Sequence, residues 1–331
     1  MGSTLVRDRR IQPKSAGRSL GVGDALGSYR LIEWLGAGGM GMVFVGEHAL
    51  LGRRVALKVL HPQLAQDPDI IRRLFREARA INAIAHPNIV EIFDCVQSPD
   101  GADHLVMELL VGKDLEAAVE AEGPFPLART LGICRQIASA LAAAHAQGII
   151  HRDLKPENVY LIARGGDPNF VKLLDFGLAK LLEPGPGLDA TRAGTILGTP
   201  EYMSPEQSVG DAVDARSDIY SLAVLAYALL ADRLPFEGDS LGAQRAARLR
   251  RTAPPLPATS AAGDVLPAKL GPLIGRCLAL DPGDRCQSMA ELLLELTALG
   301  SGPFEREGAV EPAPRTPPRR RRSMRSRRAP G

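Results

Sequence analysis

Three observations predict an α+β chain in two lobes, a strand-rich small lobe followed by a mainly helical large one. Between Tyr29 and Leu110, short strand-like runs are separated by glycine-rich turns. After Gly112 the texture changes to helices. One of them, Arg216 to Ala231, is apolar nearly all round and therefore belongs inside a core.

The elements follow in order. Tyr29 to Leu35, Met42 to Glu47 and Arg53 to Leu60 read as three strands, turning at 36–41 and at Leu50-Leu51-Gly52. Apolar residues at Ile70, Leu74, Ala78, Ile81 and Ala85 give Asp69 to Ile84 a helical period. His86-Pro87 ends that helix, because a residue before proline avoids the helical region. Ile89 to Cys95 and His104 to Leu110 add two strands, so the small lobe is a five-stranded sheet with one long helix. Helices are expected at Leu127 to Gln147, Arg216 to Ala231, Leu241 to Arg251, Pro267 to Leu280 and Ser288 to Leu299. Two short strands, Val159 to Ile162 and Val171 to Leu174, lie between the first and second of these.

The expected organisation is a flexible leader at 1–27, a folded unit at 28–300 with lobes 28–111 and 112–300, and a disordered tail at 301–331 rich in Pro and Arg. The chain has 331 residues and a formal net charge of +2. Nine arginines against three acids give the tail a surplus of six positive charges, so the remainder carries a net charge of −4. The run Arg319 to Arg322 reads as a solvated charge run, as a contact for anionic surfaces, or as flanking a phosphoacceptor at Ser323 or Ser326. The N-terminus lacks the apolar core of a signal peptide, and no apolar run reaches the ~20 residues a bilayer span needs. A soluble, cytoplasmic protein is expected. Cys95, Cys134, Cys277 and Cys286 are dispersed and form no C-x-x-C, so neither zinc nor a redox pair is expected.

The chemistry is concentrated in a few strings. Gly36-Ala37-Gly38-Gly39-Met40-Gly41 lies between two strands, where glycines let backbone N–H groups approach phosphate oxygens. Taken alone it could equally be a tight hairpin. A dinucleotide-binding reading is disfavoured, because a strand follows where a helix should begin. Lys58 sits in the apolar strand Val55-Ala56-Leu57-Lys58, and Glu77 on the long helix is its natural counter-charge. The densest string is His151-Arg152-Asp153-Leu154-Lys155-Pro156-Glu157-Asn158, followed by Asp175-Phe176-Gly177. It supplies a base (Asp153), a phosphate-binding cation (Lys155) and two oxygen ligands for a hard metal ion (Asn158 and Asp175).

With GTPEYMSPE at 198–206 and SDIYSL at 217–222, residues 29–299 resemble the eukaryotic-type (Hanks-type) serine/threonine protein kinases, bacterial members especially. The resemblance implies the bilobal protein kinase fold, ATP with Mg²⁺ (Mn²⁺ as substitute), and protein substrates carrying Ser or Thr. By that resemblance Lys58 holds the α- and β-phosphates and Glu77 holds Lys58. Val43, Ala56 and Tyr160 sandwich the adenine, Met107 is the gatekeeper, and the backbones of Glu108 and Leu110 meet the adenine edge. Ile92, Ile81, Phe176 and His151 stack into a column anchored by Asp218. Glu206 pairs with Arg285, and Thr199 contacts Asp153 and Lys155. Arg152 beside Asp153 implies control by a phosphate on Thr191 or Thr195. A transient homodimer would serve trans-autophosphorylation, and no specific nucleic acid is expected. Two alternatives are a nucleotide-binding pseudokinase and a small-molecule kinase. The complete set Lys58, Glu77, Asp153, Asn158 and Asp175 opposes the first, and a long segment ending in Ser204-Pro205-Glu206 opposes the second.

Overall fold

The computed structural model describes residues 20–98, 102–176, 200–238, 240–250 and 252–300. Its small lobe is a six-stranded antiparallel sheet in the order β1-β2-β3-β4-β6-β5. The strands are β1 (Ala25–Leu26), β2 (Tyr29–Gly38), β3 (Gly41–His48), β4 (Arg54–Leu60), β5 (Ile92–Val96) and β6 (His104–Met107). The expected five strands are all present, and β1 is an addition. It pairs with β2 and buries Leu26 against Leu31 and Phe44, so a flexible leader running to residue 27 is corrected at its end. Two residues carry too little periodicity to announce a strand.

A short helix, α1 (Pro62–Ala65), precedes the long α2 (Pro68–Ile84), so the lobe has two helices where one was expected. Asp67 caps α2 by accepting from the backbone N–H groups of Asp69 and Ile70, at 2.9 and 3.4 Å. The buried stripe is Ile71, Leu74, Ala78, Ile81 and Ile84. Ile70 therefore lies off the stripe, and Ala85 ends the helix in the left-handed region at φ 48°. β5 starts three residues later than expected. Ile89 leaves the small sheet and makes a parallel bridge to Leu173, with Val90 N–H donating to the Leu173 carbonyl at 3.0 Å.

In the large lobe, β7 (Gly112–Asp114), β8 (Val159–Arg164) and β9 (Asp167–Leu173) form a three-stranded sheet. The helices are α3 (Leu115–Glu122), α4 (Leu127–His145), α5 (Pro205–Val209), α6 (Ala215–Ala231), α7 (Leu241–Arg250), α8 (Leu270–Cys277) and α9 (Met289–Gly300). α6 is buried on every side, as its composition requires, and α4 packs against both α6 and α9. Two helices of this lobe were not expected from the sequence, α3 and α5. Each carries its own signal: Asp114 caps α3 through Ala117 N–H at 2.7 Å, and Ser204 with Gln207 forms a capping box on α5.

Candidate active site

The glycine-rich hairpin is built by β2 and β3, paired Gly36 to Val43, Ala37 to Met42 and Gly38 to Gly41. A Cβ on Gly36 or Gly38 would meet nothing within 4 Å, so the side a phosphate would approach is open. Gly41 is different, since its Cβ would lie 1.9 Å from the Val59 carbonyl oxygen. Gly41→Ala must push β3 off β4. It is expected to cost about 1–3 kcal/mol, read as a lowered urea midpoint. Met40 packs into the apolar cluster with Leu60, Ile71 and Leu74, which leaves only its backbone for a phosphate. His61 ties the hairpin down, its Nε2 lying 2.9 Å from the Gly38 carbonyl.

Behind the hairpin, Val43 pairs with Lys58, and Ala56 pairs with Met107 across β4 and β6. Tyr160 on β8 donates its hydroxyl to the Gly112 carbonyl at 3.1 Å. That places it in the same lobe junction as Leu110. Glu108 uses its side chain as well as its backbone there. Its carboxylate accepts from Lys172 Nζ at 2.5 Å and from Glu91 N–H at 2.8 Å.

The loop after α4 is held by one buried carboxylate. Asp218 accepts from the backbone N–H groups of His151 and Arg152 at 2.8 and 2.9 Å, and from His145 Nε2 at 2.7 Å. These bonds fix Arg152 in the left-handed region, φ 65°. His151 Nδ1 accepts from Asp153 N–H, so its proton sits on Nε2 and is donated to the Leu174 carbonyl at 3.0 Å. Burial depresses the His151 pKa against the pull of Asp218, which keeps the ring neutral. Its ring packs on Phe176 with centroids 4.5 Å apart.

The result is a focused set of polar atoms. The amide nitrogen of Asn158 donates to the Asp153 carbonyl at 2.7 Å and to Asp153 Oδ2 at 3.0 Å. Lys155 Nζ lies 3.2 Å from the same Oδ2. Leu174 N–H donates to the Asn158 carbonyl, which sets Asp175 beside this loop. With its nitrogen engaged, Asn158 has only its amide oxygen left to offer a ligand. Asp175 is partly exposed, so Asn158 and Asp175 offer the all-oxygen set that a hard divalent ion takes.

The structure departs from expectation at Lys58. Its ammonium pairs with Asp175 Oδ1 at 2.5 Å rather than with Glu77. Asp175 is at φ 54°, and that left-handed turn delivers its carboxylate to β4. Burial opposes the charge on Asp175, but the Lys58 ammonium outweighs it and holds the Asp175 pKa below the ordinary value. Glu77 instead lines a cavity of about 140 Å³ together with Ile81, Ile149, Arg152 and Phe176. The expected column is split accordingly. Ile81 and Phe176 share the large-lobe core, whereas Ile92 belongs to the small-lobe cluster. Thr191, Thr195 and Thr199 lie outside the described residues.

Below the loop, Arg285 brackets Glu206 with two bonds of 2.8 Å each, and Ser217 donates to the same carboxylate at 2.5 Å. Gln207 Nε2 reaches the Arg152 carbonyl at 2.7 Å, a link from α5 to the catalytic loop that the sequence reading missed. Burial pushes against the Glu206 charge, yet the Arg285 hydrogen bonds prevail and depress its pKa. A depressed carboxylate stabilises the fold above its unfolded pKa and loses that contribution as pH falls. Glu206→Gln is therefore expected to lie below wild type in urea midpoint at pH 7. The gap should narrow as pH drops below about 4.5.

A carboxylate paired with a lysine, a second lysine on a buried strand and a glycine hairpin, set between two such lobes, are the parts of a protein kinase. The chain belongs to this family: residues 29–295 match the model of the protein kinase domain. It is 48% identical over 269 residues to the serine/threonine-protein kinase Pkn1 of Myxococcus xanthus, covering 81% of this chain and 38% of that protein. To the serine/threonine-protein kinase PknB of Mycobacterium tuberculosis it is 38% identical over 292 residues, covering 87% and 45%. The chain thus spans less than half the length of either relative. The crystal structure of the Mycobacterium tuberculosis PknI kinase domain superposes with a TM-score of 0.62 at 30% identity, covering 85% of this chain and all of that one. Among the described residues no helix is long and apolar enough to cross a membrane.

Proposed function

We propose that this chain transfers the γ-phosphoryl group of ATP to Ser or Thr hydroxyls of proteins. The observation that carries the reading is the Asp153 carboxylate, oriented by the Asn158 amide and flanked by Lys155 at 3.2 Å. Asp153 takes the proton of the attacking hydroxyl as the new P–O bond forms. Lys155 offsets the charge gathering on the transferred group. Lys58 leaves Asp175 to hold the α- and β-phosphates, with Glu77 as its alternative partner. The adenine lies between Val43, Ala56 and Tyr160, with Met107 behind it and the backbone of 108–110 at its edge. Asn158 and Asp175 would hold Mg²⁺, or Mn²⁺ in its place, which when bound would neutralise phosphate oxygens.

The folded kinase unit is 28–300 with β1 added at its start, and 301–331 is a basic tail suited to anionic surfaces. Thr199 is assigned to the acceptor hydroxyl by resemblance to the family alone. Phosphate on Thr191 or Thr195, placed by a transient second copy, settles Arg152 and raises activity. The test is incorporation of labelled γ-phosphate from Mg·ATP, with mass spectrometry of Thr191 and Thr195. Wild type should incorporate label, and Lys58→Met should lose at least ~10²-fold. Equal incorporation by the variant would remove the assignment.

A further inference from the structure

The sequence separates Cys277 and Cys286, and the fold brings their Sγ atoms to 3.4 Å, both fully buried. Cys277 ends α8, and Cys286 follows Arg285 directly. Arg276 Nη2 donates to Cys286 Sγ at 3.1 Å, and the Arg276 side chain is 41% exposed. Cys286 therefore lies one side chain below solvent, under a cation. We propose that Cys277 and Cys286 are a redox-active pair, closed to a disulfide by a hydroperoxide, which staples the end of α8 to the segment carrying Arg285.

Closing the pair needs the sulfurs to approach by about 1.4 Å. The hydrogen bond from Cys277 and then the Arg276 charge depress the Cys286 pKa, against its burial. Cys286, the sulfur under the half-exposed Arg276 cation, is the attacking one, and it gives its proton to solvent before it reacts. Its sulfur attacks the peroxide, the O–O bond breaks, and a sulfenic acid and hydroxide result. Cys277 sulfur then displaces the sulfenic hydroxyl, and the departing oxygen leaves as water with the thiol proton. Two electrons pass from the two thiols to one peroxide, giving one disulfide and two waters. A metal ion is a weaker reading of the neighbouring Cys286, Glu291 and Glu295, because Arg276 already bonds Cys286 and Glu295.

Trypsin makes the test direct. Cleavage after Arg276 and Arg285 puts Cys277 and Cys286 on separate peptides, 277–285 and 286–306. Folded full-length protein, reduced, exposed to stoichiometric hydrogen peroxide and alkylated, should yield these two peptides joined. Dithiothreitol should separate them, and Cys286→Ser should not form the link. The oxidised wild type should melt at a higher temperature than the reduced form, a shift absent from Cys286→Ser. Recovery of both cysteines fully alkylated, linkage that forms only after unfolding, or an unchanged melting temperature on oxidation would overturn the proposal. None of these readouts depends on phosphate transfer.

Discussion

Asp153→Asn is expected to lower the turnover rate of phosphate transfer by about 10²–10⁴-fold, the range for loss of a general base. The substitution keeps shape and size, so the backbone ties that hold the loop, from Asp218 to His151 and Arg152, stay intact. Two local contacts do change. The Asn158 amide loses a charged acceptor, and Lys155 loses its ion pair. The melting temperature should consequently move by no more than a few degrees while activity collapses. Steady-state kinetics with Mg·ATP alongside thermal unfolding separates the two effects. A variant with near wild-type turnover would remove Asp153 from the role of base.

Arg285→Ala should act in the opposite way, on the fold first. The Arg285 side chain is fully buried and makes five bonds: two to Glu206 and one each to the carbonyls of Ala279, Leu280 and Arg216. Removing it strands the Glu206 carboxylate in a dry site. Breaking a buried pair from one side costs about 3–5 kcal/mol, which for a domain of this size lowers the melting temperature by roughly 10 °C. The double variant Arg285→Met with Glu206→Gln should recover part of that loss, because no charge is left unpaired. A single variant that melts with wild type would show that the pair contributes nothing to the brace.

Much of the site was legible because its key residues are close in sequence. Asp153, Lys155 and Asn158 span one loop, and their spacing alone brings the amide and the ammonium to one carboxylate. The partner of Lys58 was not legible in that way. Asp175 lies 117 positions away, and its capture depends on a left-handed turn that no periodicity reports. Glu77 was the natural counter-charge on the long helix, and the fold places it in the lining of the cavity with Arg152 and Phe176. The long amphipathic and apolar helices were placed within a few residues, while α3 and α5 were missed because neither exceeds eight residues. Their caps, Asp114 and Ser204, were the available signal. The Cys277–Cys286 proximity had none, since the eight residues between them fold back only once α8, the Arg285 segment and α9 have packed.

The parallel bridge at Ile89 and Leu173 also limits how the two lobes move. Asn88 and Val90 are bonded to β9 at both ends of that bridge, and Asn88 also donates to the Val171 carbonyl at 2.8 Å. The buried ammonium of Lys172 holds the Ile89 carbonyl at 3.2 Å and Glu108 at 2.5 Å from the same strand. Sliding one lobe past the other would break all of these bonds together. Tilting about the line they define breaks none. The molecule is thus built as a jaw with a fixed axle, not as two beads on a string. Any opening between the lobes must turn about that line and leave its bonds in place.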